Sequence, residues 1–250
     1  MDVITNSETY FNELARTMRE VFYPCVDRIA HELLRAYEKG RSVYIFGNGG
    51  SAATASHFAC DLSKGTIRNL PSGTKRLRVI ALTDNVPVMT AWANDASYTD
   101  IFAEQLQNLL APDDVVLAIS GSGSSPNILK ALEVALRCGA YTIGLTGFKG
   151  GKMKPLCRTC LVVPSDNMEV IEDVHMATCH AVASVIRRAL TDAGASNDDQ
   201  THARTVAPSV PAANSLVFSD QDLQGFGIRS NRTQVRPSFG SVQQQGPVGD

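Results

Sequence analysis

The 250-residue chain has almost no imbalance of charge: 23 lysines and arginines stand against 25 aspartates and glutamates, a formal net charge of −2. Without a basic field, nothing in the composition draws it onto nucleic acid or an anionic membrane, and small molecules or other proteins are the expected partners. Long hydrophobic runs are also missing. No segment approaches the roughly eighteen apolar residues of a membrane span, and Met1 to Asn6 shows no basic stretch leading into an apolar one, so a cytoplasmic location is expected. Six cysteines (Cys25, Cys60, Cys138, Cys157, Cys160 and Cys179) lie scattered, mostly inside apolar runs, which fits buried reduced thiols better than a disulfide framework. The spacing Cys157-x-x-Cys160 lacks the second pair that a structural zinc site requires.

Hydrophobic residues make up 44% of the chain, enough for a sizeable core, and they are patterned. From Thr5 to Glu38, Tyr10, Leu14, Met18, Phe22, Ile29, Leu33 and Leu34 recur at mostly helical spacing, which predicts one long helix kinked or broken near Pro24. After Gly40 the pattern changes to short apolar runs at Ser42–Phe46, Arg78–Leu82, Val115–Ile119 and Tyr141–Leu145, with a weaker one at Cys160–Val163. These read as buried parallel strands. Helical patterns fall between and after them, at Ala52–Leu62, Val88–Ala93, Asp100–Leu110, Ile128–Cys138 and Val170–Leu190. Alternation of this kind predicts an α/β three-layer sandwich around a five-stranded parallel sheet, with ligands bound beyond the strands' C-terminal ends. From residue 191 to 250 the chain is rich in Ser, Gln, Asn, Gly and Pro and has no apolar period. A disordered polar tail is expected there, with Leu216-Val217-Phe218 or Phe226-Gly227-Ile228 as candidate docking motifs, and the folded domain is expected to span 1–190.

The first strand runs straight into Gly47-Asn48-Gly49-Gly50-Ser51, and a helical pattern begins at once. Glycines at 49 and 50 let the backbone approach a ligand, while Ser51 is placed to cap the helix and leave its N–H groups facing an anion. The third strand ends in Ser120-Gly121-Ser122-Gly123-Ser124-Ser125-Pro126, where Pro126 suits the first helical position and Ser125 the N-cap. No Gly-Lys-Ser/Thr follows either turn, and the glycine spacing is not that of a dinucleotide fingerprint. Two hydroxyl-rich helix starts on one sheet edge point instead to a single phosphate held by Ser51, Ser120, Ser122, Ser125 and backbone amides, Gly121 among them, with no nucleotide cofactor.

His57 and Asp61, four residues apart, share one face of the first of these helices. On the last helix, Glu169 is followed by Glu172, His175 and His180; His175 reads as a structural histidine. Glu172 and His180 are separated by roughly 12 Å along a helix, too far for both to reach one ion from the same chain, so that if both are ligands, different subunits supply them.

The strings Gly47-Asn48-Gly49-Gly50-Ser51 and Ile119-Ser120-Gly121-Ser122-Gly123-Ser124-Ser125 resemble the signatures of sugar isomerase (SIS) domains, and among these the chain most resembles the phosphoheptose isomerases. The likeness extends through Ala93-Asn94-Asp95, Leu145-Thr146-Gly147, Gly150-Gly151-Lys152-Met153 and the last helix, covering about residues 5–190. The resemblance implies a flavodoxin-like strand order and a homotetramer with active sites at its interfaces. It also implies interconversion of D-sedoheptulose 7-phosphate and D-glycero-D-manno-heptose 7-phosphate through an enediol(ate). It places acid/base chemistry on Asp61 and His180, one zinc ion per subunit on His57, Asp61, Glu172 and His180, and contacts to the sugar on Asn48, Asn94 and Asp95. Two positions depart from the family: a glutamate has become Asp61, one methylene shorter, and a glutamine has become Glu172, whose charge would strengthen a divalent site but repel a nearby phosphate. Two other readings share the fold. The DnaA initiator-associating proteins resemble the chain in Asn85, Asn94-Asp95 and the glycine loop but lack a histidine at position 180. A sugar-phosphate-sensing regulator is less favoured, because no DNA-binding module precedes the domain.

Overall fold

Two helices form where one long period was read: α1 (Ser7–Glu20) and α2 (Tyr23–Lys39). The break falls at Val21 and Phe22 rather than at Pro24, which sits in the first turn of α2, where a missing N–H costs nothing. Asn6 starts α1 with a capping box, its side chain accepting from the Thr9 amide at 3.0 Å, and Gly40 ends α2 in the left-handed region at φ 64°. The remaining elements alternate. They are β1 (Ser42–Gly47), α3 (Gly50–Cys60), β2 (Arg78–Ala81), α4 (Val86–Asp95), α5 (Ala103–Leu109), β3 (Val115–Ile119), α6 (Pro126–Cys138), β4 (Tyr141–Thr146), β5 (Thr159–Val162) and α7 (Met168–His202). In this computed structural model the described residues are 6–67 and 75–202, without the side chains of 192–202. All of these elements belong to the unit Met1–Ala203.

Every strand pairing is parallel, and the order is β2-β1-β3-β4-β5, the flavodoxin-like arrangement. Gly47 lies opposite Ile119, so the turns after β1 and β3 leave from neighbouring strand ends at the point where the order reverses. Alternate strand residues feed two cores. Val43, Ile45, Val115, Leu117 and Ile119 join α2, α3 and α7 on one face, whereas Tyr44, Phe46, Val116 and Ala118 join α5 and α6 on the other, with Met89 and Trp92 of α4 packed against them. No helix is long and apolar enough to cross a membrane among the described residues.

Three expectations need correction. β2 is not a buried strand: it occupies a sheet edge, where Val79 and Ala81 pack toward α3 while Arg78 and Ile80, on the opposite face, are exposed. The helix expected over Asp100–Leu110 begins only at Ala103, after turns that run through Tyr98 to Phe102. Finally, α7 does not stop at Leu190 but continues to His202, because Asp192 to His202 contains neither glycine after Gly194 nor proline to end it. The candidate motifs near Leu216 and Phe226 lie outside the described residues.

Candidate active site

The β1–α3 turn is tight because α3 starts almost on top of the strand. A Cβ on Gly47 would stand 2.7 Å from the Ser51 backbone, so only glycine fits. The N-cap of α3 is Gly49, at φ 54°, and not Ser51, which lies inside the first turn and is 5% exposed. Ser51 misses the cap because the chain enters the helix two residues earlier, using Gly49 for a backbone angle that serine avoids. Gly50 faces Glu172 of α7 closely: a Cβ there would lie 2.5 and 2.8 Å from its carboxylate oxygens. The start of α3 therefore already faces a negative charge.

The start of α6 is arranged differently. Ser125 is its N-cap residue, as its spacing before Pro126 predicts, yet its side chain does not cap the helix amides. Ser122 is exposed and its hydroxyl accepts from the Ser124 amide at 3.3 Å, while Ser120 and Gly121 are buried beneath. The glycine-rich turn after β4 locks this loop: the Met153 amide donates to the Gly123 carbonyl at 2.9 Å and the Gly147 amide to that of Gly121 at 2.9 Å. A helix N-terminus and several hydroxyl-bearing residues thus gather at the end of β3.

Because α3 and α7 pack into the same core and run in the same direction, Glu172 meets Gly50 and, two turns on, His180 meets His57. The two Nε2 atoms are 3.1 Å apart, with ring centroids 5.0 Å apart and planes at 63°. Asp61 Oδ2 is 3.6 Å from His57 Nε2 and 3.8 Å from His180 Nε2. Asp61 reaches this point from a π-helical turn, Asp61–Gly65, that the spacing did not predict, held to α7 by Arg187 Nε donating to the Gly65 carbonyl at 2.6 Å. Such widened turns occur often at functional sites, and this one carries the shortened carboxylate.

His57, Asp61 and His180 form a group whose donor atoms all lie within 4.8 Å of one another. A tetrahedral zinc site with bonds of about 2.0–2.2 Å has ligand-to-ligand edges of roughly 3.3–3.6 Å, which the 3.1, 3.6 and 3.8 Å separations bracket. The donor set, two imidazoles and a carboxylate, suits such an ion and leaves a fourth position open. Within one chain Glu172 is not part of the group.

The structure also brings together residues that spacing did not connect. Asn48 exchanges hydrogen bonds with Asn127 of α6, Nδ2 to Oδ1 at 2.9 Å one way and 2.8 Å the other. The Tyr98 hydroxyl donates to Asn48 Oδ1 at 3.2 Å. The loop bearing Tyr98 is fastened through Asp100, which accepts from Ser97 at 2.7 Å and pairs with Lys130 of α6. Hydrogen bonds from Lys130 and Ser97 hold the Asp100 carboxyl below its ordinary value. Asn127 was not singled out from the sequence because its partner lies 79 positions away; only the adjacency of β1 and β3 unites them. Asn94 and Asp95 end α4, exposed and bonded to each other at 2.7 Å. Asn85 caps the same helix through the Val88 amide.

His175 is 1% exposed, and burial lowers its pKa to about 4; the Thr146 backbone gives only weak contact, and neither ring nitrogen reaches a well-placed partner. It is not part of the His57, Asp61 and His180 group. Cys157, just before the edge strand β5, and Cys160, within it, are half-buried thiols, with the hydrogen bond to Cys160 and burial holding Cys157 protonated.

Comparison with known proteins places the chain among sugar-phosphate enzymes. The family model described as "SIS domain" matches residues 9–147. A phosphoheptose isomerase of Bradyrhizobium sp. (strain BTAi1) is 42% identical over 163 residues, covering 65% of this chain and 80% of its own length. A probable phosphoheptose isomerase of Thermoplasma acidophilum is 36% identical over 181 residues, with 72% and 97% covered. Among solved structures, that of a phosphoheptose isomerase from Francisella tularensis superposes with a TM-score of 0.67 at 31% identity, covering 75% of this chain and all of the other.

Proposed function

We propose that this chain, which belongs to the SIS-domain family and within it to the phosphoheptose isomerases, interconverts D-sedoheptulose 7-phosphate and D-glycero-D-manno-heptose 7-phosphate. The observation that carries the reading is the convergence of His57 of α3, Asp61 of the π-helical turn that continues it, and His180 of α7. The phosphate is assigned to the start of α6, with Ser120, Ser122, Ser125 and the Gly121 backbone around it. The start of α3, where Glu172 already sits, is assigned to the uncharged part of the sugar, with Asn48, Gly49, Gly50 and Ser51. His57 lies roughly 10 Å along α3 from Gly50, a reach that suits a long acyclic sugar phosphate better than a triose.

Ketose and aldose differ by one proton moved between C1 and C2 and one moved between their oxygens. Of Asp61 and His180, one takes the proton from C1 of the ketose and returns it to C2. The other carries the proton between O2 and O1, so that the enediol(ate) never holds an unshared charge. His57 Nε2 lies 3.1 Å from His180 Nε2, close enough for one ring to donate to the other. Zinc is the ion we assign to His57, Asp61 and His180, and when bound it would polarise a sugar oxygen as a Lewis acid. Active sites shared between the subunits of a homotetramer are part of the same proposal.

Proton NMR of the purified protein with sedoheptulose 7-phosphate in deuterated water tests this. Turnover with deuterium entering at C1 or C2 is expected, and His180→Ala should reduce it at least a thousandfold. Neither turnover nor exchange with heptulose, hexulose or pentulose phosphates would transfer the reading to a partner-binding SIS protein.

A further inference from the structure

Asp61 is the residue at which α3 ends. Its backbone N–H donates to the carbonyls of His57 and Phe58, and the five residues Asp61–Gly65 then widen into the π-helical turn. A helix end of this kind leaves carbonyls without a regular partner, and side chains take them up. Ser63 Oγ donates to the Ala59 carbonyl at 2.6 Å and Thr66 Oγ1 to that of Leu62 at 2.7 Å. Both are local. Among the described residues, the one side chain that hydrogen-bonds these carbonyls from another element is Arg187 of α7, whose Nε donates to the Gly65 carbonyl at 2.6 Å.

The same face of α7 presents His180. It precedes Arg187 by seven residues, about two helical turns, so the two side chains lie one above the other. Gly65 supplies the room: a Cβ on it would stand 3.4 Å from Arg187 Nη2 and 3.8 Å from Asp61 Oδ1, so guanidinium and carboxylate both flank the place where a side chain would be. Leu62, fully buried, holds the turn to the core, but apolar contact has no direction. The hydrogen bond to Gly65 has one, and it ties the turn to the helix that carries His180. The side chain of Asp61 is short, with little reach to make up for a backbone that moves. Its separation of 3.8 Å from His180 Nε2 therefore depends on where the turn lies.

We propose that Arg187 is a positioning residue for the isomerase site: by closing the turn Asp61–Gly65 onto α7, it holds the Asp61 carboxylate beside His57 and His180. It acts through Asp61 and not on the substrate. When its hydrogen bond is lost, the packing beneath the turn opens more often, and the fraction of molecules with all three donors in place falls. The inference deepens the isomerase reading and rests on it for the role of Asp61.

Two substitutions separate the hydrogen bond from the charge. Counted from Cβ, the fourth side-chain atom of glutamine is an N–H donor, as Nε is in arginine, whereas that of methionine is a methyl carbon. Cobalt(II) is titrated into the metal-free full chain and followed by its visible absorption, and turnover of sedoheptulose 7-phosphate is measured beside it. Arg187→Met should bind cobalt about five- to tenfold more weakly and lose kcat by a similar factor, with KM held within about twofold. Arg187→Gln should return both to within about twofold of wild type. In an Asp61→Asn protein, where two imidazoles still bind the ion, adding Arg187→Met should cost less than about twofold more, because its effect passes through Asp61. Unchanged cobalt affinity and kcat in Arg187→Met, equal losses in the two Arg187 variants, or an undiminished loss beside Asp61→Asn would each overturn the proposal. Arg187 is only half-buried, so the variants are expected to fold. A wild type that binds cobalt but does not turn the sugar over would defeat the isomerase reading alone, and the cobalt titrations would still decide the role of Arg187. A wild type that does neither would overturn both.

Discussion

His175 lies on α7 one turn before Cys179, inside the core shared with α2 and α3, and its imidazole stays neutral there because charging it would cost its hydration. Its folded pKa of about 4 is below the ordinary 6.5, so between those values the unfolded chain binds a proton that the folded one refuses. The stability linked to this group is complete above pH 6.5. It falls as the pH drops toward 4, at a slope of up to about 1.4 kcal/mol per unit. Urea unfolding at pH 7, 6 and 5 should show this decline, and His175→Leu should flatten it; equal slopes in both proteins would remove His175 as the cause. At this scale the sequence was partly readable. The spacing of His57 and Asp61 put them on one helix face, whereas Asn127 could not be found, because an asparagine in a first helical turn looks like any capping residue until its distant partner is known.

The loops depend on close backbone contacts that only some glycines permit. Gly123 has φ 61°, and a Cβ on it would stand 2.5 Å from the Gly150 carbonyl oxygen and 2.7 Å from Thr146 Oγ1. Gly123→Ala combines a disfavoured backbone angle with a clash against another loop, and should lower stability by about 2 kcal/mol or more in denaturant unfolding. A shift under about 0.5 kcal/mol would mean that the two loops separate freely. The strands were legible within a residue or two, since buried parallel strands write themselves as apolar runs. The edge position of β2 was not, because Val79 and Ile80 read the same whether a neighbour covers them or not. Nor was the π-helical turn at Asp61, which inserts one extra residue in a turn without altering local composition. Ser51 was misplaced for a related reason: the sequence marks a helix start there, but the glycine that makes the entry angle possible decides which residue caps it.

Across the molecule, the proposed assembly of subunits would bear on the fourth position beside His57, Asp61 and His180. Glu172 is held at Gly50 of its own chain, so its share in a zinc site would have to come between subunits. Phe11, Phe22 and Tyr23, on α1 and at the entry to α2, are 64%, 59% and 58% exposed, which is apolar surface available to such contacts. For the assembled protein, Glu172→Gln is expected to lower zinc retention against a chelator by tenfold or more, measured by metal analysis beside the mass in solution. Unchanged retention in a tetramer would exclude Glu172 as a ligand.

The three converging side chains also sit on the helices that carry the largest share of one core. Phe58 and Leu62 lie on either side of Asp61 in sequence, and Cys179 and Val182 flank His180, all of them almost wholly excluded from water. The group thus has no hinge in its backbone. The backbone positions that bring the three side chains together shift only when the packing beneath them opens, so their proximity is tied to the fold as a whole and not to local breathing of the surface loops.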